Sequence, residues 1–487
     1  MNKIIILDNK KCQVVSEDTL LINNLKKFLS FKAAGVEYTP AYKNGWNGIT
    51  YLLSKSNKFD FGLLNKVKEH FYNEGEEYEI EDKRSSKTKS IQFNILPRLQ
   101  ELGLEPRDHQ NRINNIIDLN DRGIIRAATG AGKTLCTALI TAKINKPTII
   151  YVIGLDLLDQ FHKLFSKIFD EKIGWIGNGI CDPQRITIAS IWTIGRSLSI
   201  DDITYDDDEN ITEKDFDLSN KDKILACLKE AKLHIFDESH IVTCSTIAEI
   251  YKNINPEYIY GFSGTPFRDD NSDLLINGIL GEQIINVSAS ELIDKGLLAM
   301  PIIKFVTVPK LPGLGMQYQS VYKDYIVENE IRNNLIINNL KDLLNKKYTP
   351  LVLFKQIKHG NILSEKMELE GIKFEMLHGN DSLEKREEVK QKLRNKDIDV
   401  ILASTIFDIG INLPELNGLV LAGGGKSSIR TLQRVGRVIR KNGNNKCAAI
   451  VDFYDQAKFL KQHSLHRCKT YMSERGFKII KSKEMLK

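Results

Sequence analysis

Residues 123–140 carry a strand, a glycine-rich turn and a helix in direct succession, and the join between them narrows the possible folds sharply. Gly123-Ile124-Ile125-Arg126 is an apolar run, Ala127-Ala128-Thr129-Gly130-Ala131-Gly132-Lys133-Thr134 is the turn, and Leu135-Cys136-Thr137-Ala138-Leu139-Ile140 reads as a helix. In such a turn, backbone N–H groups and the helix N-terminus point at phosphate oxygens. Thr129, Gly130, Ala131 and Gly132 would then form the cradle, Lys133 would reach the β and γ phosphates, and Thr134 would hold Mg²⁺. Ala127 stands where the pattern G-x-x-x-x-G-K-[ST] has its first glycine. The plainer alternative is a glycine-containing turn before a helix.

The chain has 487 residues, 42% of them hydrophobic and 27% charged, with a formal net charge of +6. That is ordinary globular composition, long enough for about three domains. The basic excess permits a nucleic-acid partner without demanding one. The seven cysteines are scattered, with no C-x-x-C pair, which argues against structural zinc or a disulfide framework and fits a reducing cytosol. The apolar run at the N-terminus, Ile4-Ile5-Ile6-Leu7, is too short for a signal peptide and no run reaches membrane-spanning length. A cytoplasmic protein is expected.

Residues 1–78 read as a small α+β unit. A strand pair is expected at 4–7 and 12–15, then a helix capped by Asp18 with Leu21, Leu25 and Phe28 on one face, and a second helix at 63–72. The polar stretch 74–89 reads as a linker. Beyond it, apolar strand-like runs at 124–126, 148–153, 186–189, 233–236 and 258–262 alternate with helical ones, and the alternation resumes at 351–354, 374–377, 400–403, 418–422 and 448–451. Such alternation argues for parallel sheets covered by helices. The acidic run at 201–217 reads as a solvated insertion, and Pro309-Lys310-Leu311-Pro312-Gly313-Leu314-Gly315 as a hinge or loop.

Ile235-Phe236-Asp237-Glu238-Ser239-His240 is an apolar strand ending in adjacent carboxylates. Asp237 could hold Mg²⁺, and Glu238 could polarise the attacking water as general base. Ser263-Gly264-Thr265-Pro266 follows another strand, where its hydroxyls could link the nucleotide site to a moving neighbour. In Gln433-Arg434-Val435-Gly436-Arg437-Val438-Ile439-Arg440, helical spacing would put Gln433, Arg437 and Arg440 on one face. Arginines supplied by a second domain are what γ-phosphoryl hydrolysis requires.

This ordered set resembles the superfamily-two helicases and translocases with a D-E-x-H box. Arg107-Asp108-His109-Gln110 is similar to the adenine-recognising segment, residues 127–134 to motif I, 154–160 to motif Ia, 237–240 to motif II and 263–265 to motif III. Residues 350–354 resemble motif IV, 404–412 motif V and 433–440 motif VI, with Asn412 where relatives carry Asp. The resemblance implies two RecA-like parallel-sheet domains with ATP and Mg²⁺ in the cleft between them. It also implies nucleotide contacts for Gln110 and Gly410, a nucleic-acid contact for Thr405, and coupling roles for His240, Ser263 and Thr265. Phe28-Leu29-Ser30-Phe31-Lys32-Ala33-Ala34-Gly35 and Asn44-Gly45-Trp46-Asn47-Gly48-Ile49 resemble the first domain of the phage UvsW-type recombination helicases. That likeness implies a motor for branched or single-stranded DNA in recombination, repair or replication, acting in the host cytoplasm if phage-encoded. It would act as a monomer, with recombination or single-strand-binding proteins as further partners.

The expected organisation is therefore an α/β chain: an N-terminal DNA-binding domain at 1–90, RecA-like domains at 91–305 and 306–455, and a basic C-terminal tail at 456–487 that could end disordered. Residues 1–72 carry a lysine excess, within which Lys43, Trp46, Lys55 and Lys58 combine cationic and aromatic chemistry suited to phosphate contact and base stacking. Gly424-Gly425-Lys426-Ser427 imitates a second phosphate loop, but Val420 stands at its first-glycine position. It reads as a loop after a second-domain strand. The rival functions are an RNA helicase, a double-strand translocase of a restriction or repair system, and an ATP-gated clamp without turnover.

Overall fold

The computed structural model describes residues 2–485 except 33–35, 39, 86–90, 199–219, 240–243, 265–272, 311–316, 379–380, 405–412, 414 and 441–445. The acidic run 201–217 and most of the 309–315 loop lie outside the described residues. The chain divides into two compact units, Met1–Ala127 with Gly132–Asn286, and Ala128–Ala131 with Val287–Lys487.

In the first unit, β1 (Asn2–Ile6) pairs antiparallel with β2 (Lys11–Val15), placing Ile4 opposite Val14. Strand side chains alternate faces, and Ile4, Ile6, Cys12 and Val14 are the buried set. Asp18 caps the helix Thr19–Phe28, accepting from the Leu20 and Leu21 N–H groups, and Leu21 and Leu25 are buried. Phe28, expected on that face, is 39% exposed and stacks on His70 at 5.1 Å. β3 (Ser30–Lys32) and β4 (Ile49–Tyr51) form a separate two-stranded ribbon. β5 (Lys58–Asp60) and β6 (Tyr78–Asp82) complete a sheet of order β5-β2-β1-β6.

β6 corrects the reading of 74–89 as a linker. Its Glu79, Glu81 and Asp82 are exposed, and it runs parallel to β1 as an edge strand. Charged side chains on an edge deter further strand pairing, so a polar sequence there is compatible with a strand.

This small domain is docked within the first unit. Lys10 Nζ donates to the carbonyls of Tyr251 (2.9 Å), Lys252 (3.0 Å) and Ile254 (3.0 Å) at the end of the helix Cys244–Asn253. The Arg122 and Arg84 guanidinium groups both lie against the Phe61 ring, at 4.3 and 4.8 Å.

The second sheet contains β7 (Arg122–Ala127), β8 (Thr148–Val152), β9 (Gly174–Gly177), β10 (Ile180–Asp182), β11 (Ile186–Ser190), β12 (Leu233–Phe236), β13 (Tyr258–Ser263) and β14 (Gln283–Val287). Its order is β10-β9-β11-β8-β12-β13-β7-β14. β7, β8, β11, β12 and β13 were legible because parallel strands covered on both faces read as continuous apolar runs. Every residue of β8, β11 and β12 is buried.

The second unit holds β15 (Met300–Val308), β16 (Pro350–Phe354), β17 (Phe374–Leu377), β18 (Val400–Ser404), β19 (Gly418–Val420), β20 (Cys447–Asp455) and β21 (Lys478–Ile480). The order is β17-β18-β16-β19-β20-β15-β21, and the paired strands are parallel. Val352, Leu402, Val420 and Val451 pack with Ile336, Leu340, Leu363 and Met367 of the covering helices. The fold is thus α/β, with two RecA-like parallel-sheet domains and a small N-terminal domain. β15 crosses the expected 305/306 boundary. Residues 456–487 contain the helix Leu460–Met472 and β21, so Lys478–Ile480, which the sequence allowed to be a disordered end, is an edge strand. Among the described residues no helix is long and apolar enough to cross a membrane.

Among the buried histidines, His234 in the first unit and His359 in the second are held neutral. His234 accepts from the Tyr151 hydroxyl at Nδ1 (2.9 Å) and donates from Nε2 to the Ala231 carbonyl (3.2 Å). His359 donates from Nε2 to Asn333 Oδ1 (3.0 Å). Burial pushes both imidazoles down to about 3. Below pH ~6.5 the unfolded chain takes up protons that these native side chains refuse. Their stabilisation is complete above that pH and is lost as the pH falls toward 3, at up to ~1.4 kcal/mol per pH unit for each histidine. Urea midpoints should therefore fall between pH 6 and 4, and His359→Gln should flatten the slope by about one proton. An unchanged slope in that variant would show that His359 titrates in the native state.

Candidate nucleotide-binding site

β7 ends at Ala127, which is fully buried, and the residue is absent from the positive-φ positions, so the first-glycine site of the motif needs no glycine here. The turn is closed by Ala131 N–H donating to Ala128 O at 3.0 Å, and Ala128 N–H donates to Val287 O at 3.0 Å. Gly130 (φ +90°) and Gly132 (φ +79°) adopt backbone conformations that side chains disfavour. Gly132 then N-caps the helix Lys133–Ile144, so Lys133 and Thr134 occupy its first turn. Gln110, 3% exposed, accepts the Arg107 N–H at Oε1 (2.9 Å), and its amide nitrogen occupies the space that a Cβ at Gly132 would need. The expected nucleotide contact Gln110 therefore stands against the phosphate loop.

The Asp237-Glu238-Ser239 turn follows β12. Asp237 N–H donates to Tyr151 O and Ser239 N–H to Phe262 O, both at 2.9 Å. Between these two anchors Glu238 is held at φ +48°, a left-handed conformation that costs a non-glycine residue roughly 1–2 kcal/mol. The anchors turn its side chain toward Lys133, with which it forms an ion pair. Asp237 is 4% exposed, and its Oδ1 has no hydrogen-bond partner among the described residues. Burial pushes its carboxyl well above the usual carboxylate range, opposed by the Lys133 ammonium and reinforced by the Glu238 charge. A buried carboxylate oxygen of this kind, within reach of the Lys133 charge, fits a divalent cation bound with phosphate.

Ser263 is buried at the end of β13, opposite Arg126 of β7. Ser239, which the sequence reading left without a role, also donates from Oγ to Phe262 O at 3.2 Å. It ties the carboxylate turn to the Ser263 segment, and only the strand register reveals this. His240, Thr265, Thr405, Gly410 and Asn412 lie outside the described residues.

In the second unit, Ser427 caps the helix Ser428–Val438, accepting the Arg430 N–H at 3.4 Å. Gln433 and Arg437 sit one turn apart on it. Arg440 does not: the helix ends at Val438, the carbonyl of its cap residue Ile439 accepts the Ala299 N–H at 2.7 Å, and Arg440 pairs with Leu298 in an antiparallel bridge. This corrects the expectation of a single helical face. Burial, and to a lesser degree the Arg437 charge, push the Arg440 guanidinium down to about 10. A Cβ at Gly436 would lie 2.5 Å from Thr129 Cβ, so glycine is what lets this helix approach Thr129, which belongs to the same unit.

Lys43, Trp46, Lys55 and Lys58 are all exposed on the N-terminal domain, Trp46 at 38%. Lys43 ends a short helix, Trp46 and Lys55 lie in or beside turns, and Lys58 is on the edge strand β5.

A nucleotide cradle on one parallel sheet and an arginine helix on another define an ATP-driven motor with tandem RecA-like domains. Residues 103–268 match the family profile of the type III restriction enzyme res subunit, residues 335–442 that of the helicase conserved C-terminal domain, and residues 2–81 that of the N-terminal domain of DNA helicase UvsW. The chain is 25% identical to the ATP-dependent DNA helicase uvsW of Enterobacteria phage T4, over 94% of this chain and 95% of that protein. It is also 25% identical to the DNA 3'-5' translocase XPB2 of Sulfurisphaera tokodaii, over 69% of this chain and 79% of that one. Among solved structures, S. cerevisiae Dbp5 bound to RNA and ADP BeF3 shares the fold, with a TM-score of 0.55 and 13% identity over 80% of this chain and 93% of that one. These matches support a UvsW-like superfamily-two helicase that hydrolyses ATP as a DNA helicase.

Proposed function

We propose that this helicase remodels branched DNA, unwinding forks or migrating junctions, and that its N-terminal domain supplies the preference for branched structures. The observation that carries this reading is the N-terminal domain itself: it matches the UvsW N-terminal profile and is bonded into the unit that holds Lys133 and Glu238. Lys133 would bind the β and γ phosphates, Gln110 would meet the base, and Thr129, Gly130, Ala131 and Gly132 would cradle the phosphates. Thr134 and Asp237 would hold Mg²⁺, which neutralises phosphate charge when bound. Glu238 would orient and deprotonate water, while Gln433, Arg437 and Arg440 would stabilise the charge that develops on the γ phosphate. Ser263 would relay this state through Ser239.

The likeness to a DNA 3'-5' translocase supports a second reading, in which the motor tracks along double strands without favouring branches. Deleting residues 1–90 would strip away the docking contacts of Lys10 and Phe61, so point substitutions on the exposed face give the cleaner test. Trp46→Ala combined with Lys43→Ala should weaken binding to forks and four-way junctions by ~10-fold, the scale of one lost stacking and one lost phosphate contact. The salt dependence should become shallower, and ATPase without DNA should be unchanged. Equal losses on plain single strands, forks and junctions would make this face a general affinity surface and favour the translocase reading. ATPase stimulation by RNA matching that by branched DNA would overturn the DNA assignment.

A further inference from the structure

Beyond β19, the consecutive carbonyls of residues 422–425 each accept a hydrogen bond from a different side chain. Arg332 Nη1 donates to Ala422 O (2.6 Å), the Tyr322 hydroxyl to Gly423 O (2.8 Å), Arg434 Nη1 to Gly424 O (3.2 Å) and Arg467 Nη1 to Gly425 O (2.6 Å). The donors come from separate helices, Tyr318–Tyr322, Glu330–Asn345, Ser428–Val438 and Leu460–Met472. Two of the arginines are held in turn by buried carboxylates. Arg332 Nε donates to Asp455 Oδ1 at 2.8 Å, and Arg467 donates to both Asp452 oxygens, at 2.9 Å from Nε and 2.7 Å from Nη2. Tyr471 donates to the same Asp452 at 2.9 Å.

Buried charges are tolerated only when every member of the network is satisfied, so this arrangement demands a single geometry. The loop has little freedom of its own. A Cβ at Gly423 would meet Lys355 N at 2.8 Å, and Gly424 and Gly425 stand at φ +62° and +120°. Ser427, two residues past the last clamped carbonyl, caps the helix that carries Gln433 and Arg437. Core packing alone would hold that helix against the sheet. The clamps add something different: they fix where the helix begins.

We infer that Arg467, Arg332 and Tyr322 are positioning residues for ATP hydrolysis, acting through the 422–425 loop on the placement of Arg437. The C-terminal helix Leu460–Met472 is then a working part of the motor. The inference rests on the proposed role of Arg437 in hydrolysis.

Tyr322→Phe removes one hydroxyl and keeps the ring, while Arg467→Lys keeps a cation beside Asp452 but loses the fork that reaches Gly425. Misplacing a reacting group by an ångström can cost ~10²-fold, so each variant should lower kcat by about 10-fold or more while KM for ATP stays within about 2-fold. Single-turnover hydrolysis should be repeated in an Arg437→Ala background. There the same substitutions should cost less than ~2-fold, because there is no side chain left to position. Multiplicative losses in that background, or unchanged kcat in both single variants, would overturn the inference. If Arg467→Lys does not fold, Tyr322→Phe decides the matter alone, provided its Tm is close to that of the parent. An Arg437→Ala protein that hydrolyses ATP normally would overturn the arginine's role and this inference together. A slow Arg437→Ala protein with multiplicative losses would overturn the inference alone.

Discussion

Lys133→Ala should abolish ATP turnover, with a loss of at least ~10³-fold, the scale of removing a preorganised charge from a phosphoryl-transfer site. The side chain is 12% exposed and pairs with Glu238, itself 16% exposed, so nucleotide phosphates must compete with a carboxylate for this ammonium. Without it, the cradle keeps its backbone N–H groups but loses its point charge. The fold should survive. Lys133 lowers the affinity of Asp237 for its proton, so its removal lets that buried carboxyl take up a proton and become neutral. Circular dichroism and the melting temperature should stay near those of the parent, while phosphate release falls to background. Turnover near the wild-type rate would remove the phosphate-loop assignment.

Arg437→Ala should leave ATP binding largely intact and slow hydrolysis by roughly 10³-fold or more, the effect of losing an arginine that stabilises transition-state charge. Arg437 sits on the helix Ser428–Val438, one residue past Gly436, where the backbone comes close to Thr129. Removing the side chain deletes a charge without disturbing that approach. Nucleotide titration should give a Kd within a few-fold of the parent, and single-turnover chemistry should carry the loss. Lost binding with intact chemistry would make Arg437 a ground-state anchor. The contrast with Lys133→Ala is informative, since the lysine variant should lose both.

The proposals for the N-terminal surface and for the 422–425 clamp depend on how far local signals reach. Trp46 and its neighbouring lysines were readable as a basic and aromatic group, and the structure leaves all of them exposed. The clamp was invisible. Arg332, Tyr322 and Arg467 are separated in the chain and have unremarkable neighbours, and only folding brings them to consecutive carbonyls. The same limit explains β6: the sequence shows charge, whereas the parallel pairing with β1 depends on a strand at the opposite end of the domain.

What the sequence determined by itself was local chemistry in a regular setting. The strand–turn–helix at 123–140, the carboxylates ending β12 and the apolar runs of the parallel sheets are set by period, composition and glycine placement within a few residues. The tertiary structure alone decided the left-handed turn at Glu238, because the carbonyls of Tyr151 and Phe262 that impose it belong to neighbouring strands. It also decided the end of the arginine helix. Helical spacing carries Arg440 onward with Arg437, but pairing with Leu298 and the Ala299–Ile439 bond stop the helix first. Backbone hydrogen bonds between distant segments outweigh a local propensity worth only a fraction of a kcal/mol per residue.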